Sequence, residues 1–181
     1  MLAGDIEDMV QWDANDLGEV TLHVPLFAEA LPFVLFPADG AQPDVTEKMA
    51  ATIGDILALS PEHLRQVKDM LWDEANFAFQ VADYGVEPEE GETSLEAHLR
   101  EFGITNPEEA YAKSRIKAIH VADGFSGRFA EVKVATGAEN LISVIVRNGR
   151  IIDWDNDGTY LGWFDEDEQA AAKKRARVIG A

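Results

Sequence analysis

The chain has 181 residues, no cysteine and a formal net charge of -19 at pH 7, from 34 acidic and 15 basic residues. This length is typical of one domain, and 46% hydrophobic with 27% charged residues excludes a disordered or membrane-spanning chain. The lack of cysteine excludes disulfides, thiolate nucleophiles and cysteine-bound metals. The negative charge disfavours nucleic acid and anionic membranes as partners and is suited to a basic protein or a cation.

The first residues, MLAGDIEDMVQWD, carry four acids and no base, whereas a secretory signal begins with basic residues followed by an apolar stretch. The apolar runs are also shorter than the roughly 20 residues of a membrane-spanning helix. We therefore expect a cytoplasmic location. Nothing in the pattern bears on the oligomeric state.

The negative charge is concentrated in the first part of the chain. Residues 1–112 contain 24 acidic and 4 basic residues, and residues 113–181 contain 10 and 11. A one-sided negative field speeds association with a positive partner and makes it sensitive to salt. Solubility explains the same excess equally well, because charged helix faces keep a small protein in solution.

A hairpin and two helices are predicted in the first half of the chain. After a polar lead over residues 1–17, residues 20–24 alternate and residues 33–36 form an apolar run, which together indicate two paired strands. A first helix is predicted after a cap at Asp44 or Thr46. A second begins at Ser60 with proline in its first turn and is predicted to end at Gly85.

An acidic loop and two short helices follow. Residues 86–92 combine glutamates with proline and glycine, which indicates a surface loop. Thr93 or Ser94 is suited to cap a short helix that ends at Gly103, and Asn106 with Pro107 starts another.

The last third of the chain changes to a period of two, which predicts four or five strands from Arg115 to Trp154 with Asn148-Gly149 as a hairpin turn. Acids before bases in residues 165–181 predict a peripheral C-terminal helix. The fold class is therefore α+β, with an antiparallel sheet of five to seven strands packed against two main helices and short extra helices. A single domain over residues 1–181 is expected, with residues 1–17 as a flexible or peripheral lead.

The run Asp153-Trp154-Asp155-Asn156-Asp157-Gly158 matches the first six positions of a calcium loop. Position twelve, where a glutamate should complete the coordination, is Phe164. Asp153, Asp155 and Asp157 are therefore candidate ligands for a divalent cation, with calcium as the one cofactor considered. The alternative is a hairpin tip whose polar side chains satisfy the turn.

No catalytic set is recognisable, so the protein is expected not to be an enzyme. The Gly-x-Ser-x-Gly pattern is absent and no two histidines have ligand spacing, so the histidines are interpreted as structural. Paired carboxylates are too common in so acidic a chain to identify acid–base catalysis. An enzyme with an unrecognised carboxylate site stays open as an alternative.

Large aromatic residues crowd the segment after the candidate calcium loop. Exposed tryptophan or tyrosine beside acids would anchor a protein interface. The predicted partner-binding residues are Trp154, Tyr160 and Trp163, together with the acidic-loop residues Glu87, Glu89, Glu90 and Glu92.

The segment Trp154-Asp155-Asn156-Asp157-Gly158-Thr159-Tyr160-Leu161-Gly162 resembles a late motif in a family of small uncharacterised bacterial domains. An early strand such as Val24-Pro25-Leu26-Phe27, followed by two helices, is similar too, and the likeness spans residues 18–165. The chain lacks the histidine that the family has beside the glycine, and extra residues separate Gly158 from Leu161-Gly162. Some of that family are thought to be immunity proteins that neutralise toxins of competing bacteria, and the resemblance implies that function without any catalytic residue.

The favoured hypothesis is a cytoplasmic protein-binding module for a basic protein partner, and its more specific form is an immunity-type protein that neutralises a basic toxin. The alternatives are a divalent-cation-binding protein that uses residues 153–158 and an enzyme with a carboxylate site.

Overall fold

The computed structural model describes residues 3–180, which form one seven-stranded sheet and seven helices. The strands are β1 (Gln11–Trp12), β2 (Gly18–Val24), β3 (Glu29–Phe36), β4 (Arg115–Ala122), β5 (Phe129–Ala135), β6 (Leu141–Arg147) and β7 (Arg150–Asn156). The helices are α1 (Ala3–Glu7), α2 (Glu47–Leu57), α3 (Pro61–Val81), α4 (Ser94–Phe102), α5 (Pro107–Ala112), α6 (Gly162–Glu166) and α7 (Ala170–Ile179).

The sheet keeps the strands in chain order from β1 to β7. Neighbouring strands are antiparallel except β3 and β4, which are parallel. A parallel pair needs a long crossover. Here α2 to α5 form that crossover and return the chain to the end of the sheet at which β3 begins. The α+β prediction is confirmed, with a mixed and mostly antiparallel sheet in place of a purely antiparallel one.

The starts of α2 to α5 lie where the sequence predicts them, whereas the acids expected to begin the C-terminal helix lie in α6 and in the turn before α7. Thr46, Thr93 and Asn106 each accept a hydrogen bond from a backbone N–H of the first turn of the helix that follows. The long helix α3 ends at Val81, earlier than the predicted end at Gly85. Tyr84 instead turns inward, and its ring lies 5.4 Å from Phe79, so aromatic packing takes the chain out of the helix.

The two faces of the sheet are covered differently. One face carries alternate apolar residues such as Phe33, Val132 and Val144, which are buried with the apolar side chains of α2 and α3 in the main core. A smaller cluster of Phe129, Ile145, Leu161, Phe164 and Ala171 lies on the other face under α6 and α7. The remainder of that second face has no helix over it in residues 3–180, and this opening positions the candidate site.

Both ends of the described chain pack against the domain. Ile6 in α1 is fully buried, and Ala171 and Arg175 in α7 are buried as well. Residues 1, 2 and 181 of the predicted lead and last helix lie outside the described residues. Over residues 3–180, none of the helices combines the length and apolar character that crossing a bilayer requires.

Candidate functional site

A cleft of about 830 Å³ opens on the face of the sheet opposite α2 and α3. Its floor comes from β4 and β5, and its walls come from residues 37–39, from the β4–β5 loop and from the turn after β7. This volume is in the range of small-ligand sites, which are mainly apolar with a few convergent polar groups. The apolar and aromatic lining is Phe36, Pro37, Ala122, Phe125, Tyr160 and Leu161, and the ionisable lining is Asp39, His120, Glu131, Lys133 and Asp157.

Lys133 is the centre of the floor. Its Nζ donates to Glu131 Oε1 at 2.7 Å, to Ser143 Oγ at 2.8 Å and to Asp157 Oδ1 at 2.8 Å. An ammonium has three protons to donate, so all its donors are used. Only 7% of the Lys133 side chain is exposed. Lys133 therefore acts here as a fixed internal cation, and its amine is not free to act as a nucleophile.

Hydrogen bonding and charge tune two further groups in the cleft. The hydrogen bond from Lys133 lowers the pKa of Asp157, so this carboxylate is ionised at neutral pH. Burial lowers the pKa of His120, the charge of Lys133 lowers it further, and Glu131 and Asp157 act in the opposite direction. The centre of the His120 ring lies 5.0 Å from that of Phe36, with the two ring planes tilted by 46°. With His120 neutral, three carboxylates face one ammonium, so the cleft is net negative.

The β4–β5 loop forms one wall of the cleft, and hydrogen bonds hold it from both sides. Lys48 of α2 donates to the carbonyl oxygens of Asp123 at 2.5 Å and of Phe125 at 2.6 Å. Asp165 of α6 accepts the backbone N–H groups of Ser126 and Gly127 at 3.1 and 3.3 Å. These bonds hold the loop backbone that places the Phe125 ring at the cleft.

The turn after β7 forms the facing wall, and Asp155 holds it. Asp155 accepts the Thr159 hydroxyl at 2.9 Å and is bound through both oxygens by Lys174 at 2.8 and 2.9 Å. Gly158 takes the left-handed conformation that the turn requires, with φ of 79°. Asp157 then points at Lys133, whereas Asp155 is buried beneath the turn.

Asp153 closes the free edge of β7. Its Oδ1 accepts the N–H of Trp154 at 2.8 Å and the guanidinium of Arg175 at 2.8 Å, and its Oδ2 accepts the N–H of Ala172 in the first turn of α7. Arg175 also donates to the Trp154 carbonyl at 2.5 Å and lies 4.0 Å from the centre of its ring. These groups occupy positions that another strand would use.

The structure does not bring the three predicted calcium ligands together. Asp153, Asp155 and Asp157 each bind a different cation of the chain, namely Arg175, Lys174 and Lys133. In the part of the chain that the structure describes, no group of three or more acidic or histidine side chains is placed to hold a metal. The acidic run therefore covers the free edge of β7 and stabilises one wall of the cleft.

The predicted aromatic anchors divide into one core residue and two surface residues. Trp154 is buried, and its Nε1 donates to Asp73 of α3 at 2.8 Å, so it faces the core rather than a partner. Tyr160 and Trp163 are 59% and 50% exposed, with ring centres 6.2 Å apart. Tyr160 also lies 5.8 Å from Phe125, which makes a continuous aromatic rim along the cleft.

The acidic loop lies in the helical layer, on the other side of the sheet from the cleft. Glu92 forms an ion pair with Arg100 of α4 at 3.0 Å and accepts the N–H of Glu89 at 2.9 Å. Its charge is therefore partly compensated within the chain. Glu87, Glu89 and Glu90 are exposed. The predicted acidic and aromatic halves of the partner surface therefore lie on different faces.

His120, Glu131 and Lys133 are site residues that no sequence motif marks. All three occupy alternate strand positions, a pattern that indicates an ordinary solvated face. His120 lies directly opposite Glu131 in the register of β4 and β5, which the sequence alone does not specify. The sequence feature that could have indicated this site is the pair Glu131 and Lys133, two residues apart in a strand between loops that contain glycine.

Comparison with protein-family models, with curated proteins and with solved structures finds no match for this chain.

Proposed function

We propose that the protein is a protein-binding module whose cleft receives a positively charged group of a basic protein partner. The observation that supports this is the combination of three carboxylates, one internal ammonium and an aromatic lining in one cleft. A cation entering such a site gains attraction from the carboxylates and from aromatic ring faces. The two walls are already held by hydrogen bonds, so binding costs little ordering.

The aromatic rim gives the same face its contact area. Tyr160 and Trp163 are exposed beside the cleft mouth, and tyrosine and tryptophan are frequent energetic anchors of protein interfaces. The cleft is also larger than one side chain, so a partner residue and its neighbours fit together. We propose that the basic partner docks on this face.

The remaining negative charge is proposed to speed encounter rather than to form the interface. Charges outside the contact raise the association rate and lose their effect at high salt, whereas contacts in the interface slow dissociation. We assign Glu87, Glu89 and Glu90 to the charges that lie outside the contact and raise the association rate. The resemblance to immunity proteins gives the proposal its most specific form, in which the partner is a basic toxin.

Affinity capture from the source cells, at low and high ionic strength, tests the proposal. We compare the wild type with the double variant Asp157→Asn/Tyr160→Ala and with Asp69→Asn, which makes the same charge change on an exposed site of α3. A basic protein should be retained at low ionic strength by the wild type and by Asp69→Asn, and lost from the double variant. Capture that ignores ionic strength, or that the cleft variant leaves unchanged, would refute the proposal.

A further inference from the structure

The acceptors on the cleft floor are already bound to an ammonium of the chain itself. Glu131, Ser143 and Asp157 surround Lys133 Nζ at 2.7 to 2.8 Å. An ammonium is a compact, strongly hydrated point charge that requires several close acceptors. A lysine side chain from a partner would therefore compete with Lys133 for the same three groups.

The groups that stay available have a different chemistry. Asp157 lines the cleft and uses Oδ1 for Lys133, its carboxylate also accepts the backbone N–H of Gly158, and 43% of its side chain is exposed. The rings of Phe125 and Tyr160 line the same space with their centres 5.8 Å apart. A ligand in the cleft can therefore contact one edge of the Asp157 carboxylate and the rings of Phe125 and Tyr160.

This combination suits a guanidinium better than an ammonium. A guanidinium is planar and weakly hydrated, stacks on aromatic rings and presents a fork of N–H donors to a carboxylate. Such a group can contact Asp157 with its edge and an aromatic ring with its face at the same time. It does not need to displace Lys133.

We infer that the cleft selects an arginine side chain of the partner protein over a lysine side chain. This inference rests on the proposed function, because it names the group by which a basic partner is recognised. Arginine would bind the exposed edge of Asp157 and stack on Phe125 or Tyr160, while Lys133 stays bound to Glu131, Ser143 and Asp157 Oδ1.

Titration with short blocked peptides, followed by the backbone amide NMR signals of the whole protein, tests the selection. The probes are acetyl-Gly-Arg-Gly-amide, its lysine counterpart and its citrulline counterpart, which keeps the shape of arginine without the charge. We expect the arginine peptide to bind with a Kd of about 1 mM and the lysine peptide at least about tenfold more weakly. The citrulline peptide should not bind, and the shifted signals should belong to the β4–β5 loop and residues 157–161.

Two variants and one further ligand complete the experiment. Asp157→Asn keeps an acceptor for Lys133 and should abolish binding of the arginine peptide, while Asp69→Asn should leave it unchanged. Should Asp157→Asn not fold, Tyr160→Ala removes an exposed ring instead and should weaken binding several-fold, roughly the loss of one cation–π contact. Free agmatine carries a guanidinium without a peptide, and tighter binding of agmatine than of the arginine peptide would overturn the assignment to a protein partner.

The outcomes separate the inference from the proposed function. Equal binding of the lysine and arginine peptides at the cleft overturns arginine selection and agrees with the proposed basic partner. Shifts confined to the helical layer overturn the cleft as the site. Binding of the arginine peptide at the cleft, with no basic protein captured from cells, supports the selection and counts against the proposed function.

Discussion

Replacing Lys133 with methionine tests whether the charge network under the cleft stabilises the fold. Methionine retains most of the apolar stem and removes the ammonium, so the hydrogen bonds to Glu131, Ser143 and Asp157 are lost together. Glu131 is then a buried carboxylate without its cation. The variant should fold with a lower free energy of unfolding.

The size of the loss follows from the exposure of each partner. Removing one member of a fully buried ion pair costs about 3–5 kcal/mol, because the other charge stays buried and uncompensated. Asp157 is 43% exposed, so water replaces Lys133 there and its share is below about 1 kcal/mol. Glu131 and Ser143 dominate, which gives an expected loss of about 3 kcal/mol. For a chain of this size that corresponds to a fall in Tm of roughly 6–12 °C.

Urea unfolding at neutral pH measures this loss, with two companion variants. Lys117→Met removes an exposed lysine from β4 and should change the free energy of unfolding by less than about 0.5 kcal/mol. The double variant Lys133→Met/Glu131→Gln removes the stranded charge and should recover at least half of the loss, since a neutral buried pair avoids the desolvation penalty. A single variant as stable as Lys117→Met, or a double variant no more stable than the single, would show that the charge network does not stabilise the fold.

Two further results are expected. Burial raises the pKa of Glu74, while hydrogen bonds from Asn140 and Thr136 act against it, and its Oε2 has no partner. A raised pKa means that stability is complete below the unfolded pKa and declines as the pH rises through the folded pKa. In urea titrations, the free energy of unfolding of Glu74→Gln should therefore equal that of the wild type at about pH 4 and exceed it by about 1 kcal/mol at about pH 8. The same difference at both pH values would contradict this. Calorimetric titration with calcium should give flat traces for the wild type and for Asp155→Ala, because Lys174 and Thr159 already bind that carboxylate, and a saturable heat that only the wild type shows would contradict this.

The acidic run at residues 153–158 has a spacing that suits two different arrangements. Alternate aspartates followed by glycine are typical of a calcium loop, and the same spacing also suits a strand that ends in a turn. Which of the two forms depends on what approaches the carboxylates. Here Lys133 of β5 and the neighbouring residues Lys174 and Arg175 of α7 bind one aspartate each.

Local sequence patterns predict β2 to β7 and α2 to α5, and they do not predict α1, β1 and α6. Caps such as Thr46 and Asn106, the proline after Ser60 and the Asn148-Gly149 turn act within a few residues, so their effect can be predicted without the tertiary structure. The period of the apolar residues likewise predicted the α+β class, because a buried face imposes its own repeat on a helix or a strand.

The candidate site depends on contacts between residues that are far apart in the chain. The parallel contact between β3 and β4, and the closure of the cleft by Lys48 and Asp165, join residues that are far apart in the chain. Glu131 and Lys133 become buried because loops from three places cover them, and Trp154 turns to the core because Asp73 of α3 reaches its indole. Burial and charge pairing depend on contacts across the whole chain, and local patterns of residues carry no information about such contacts.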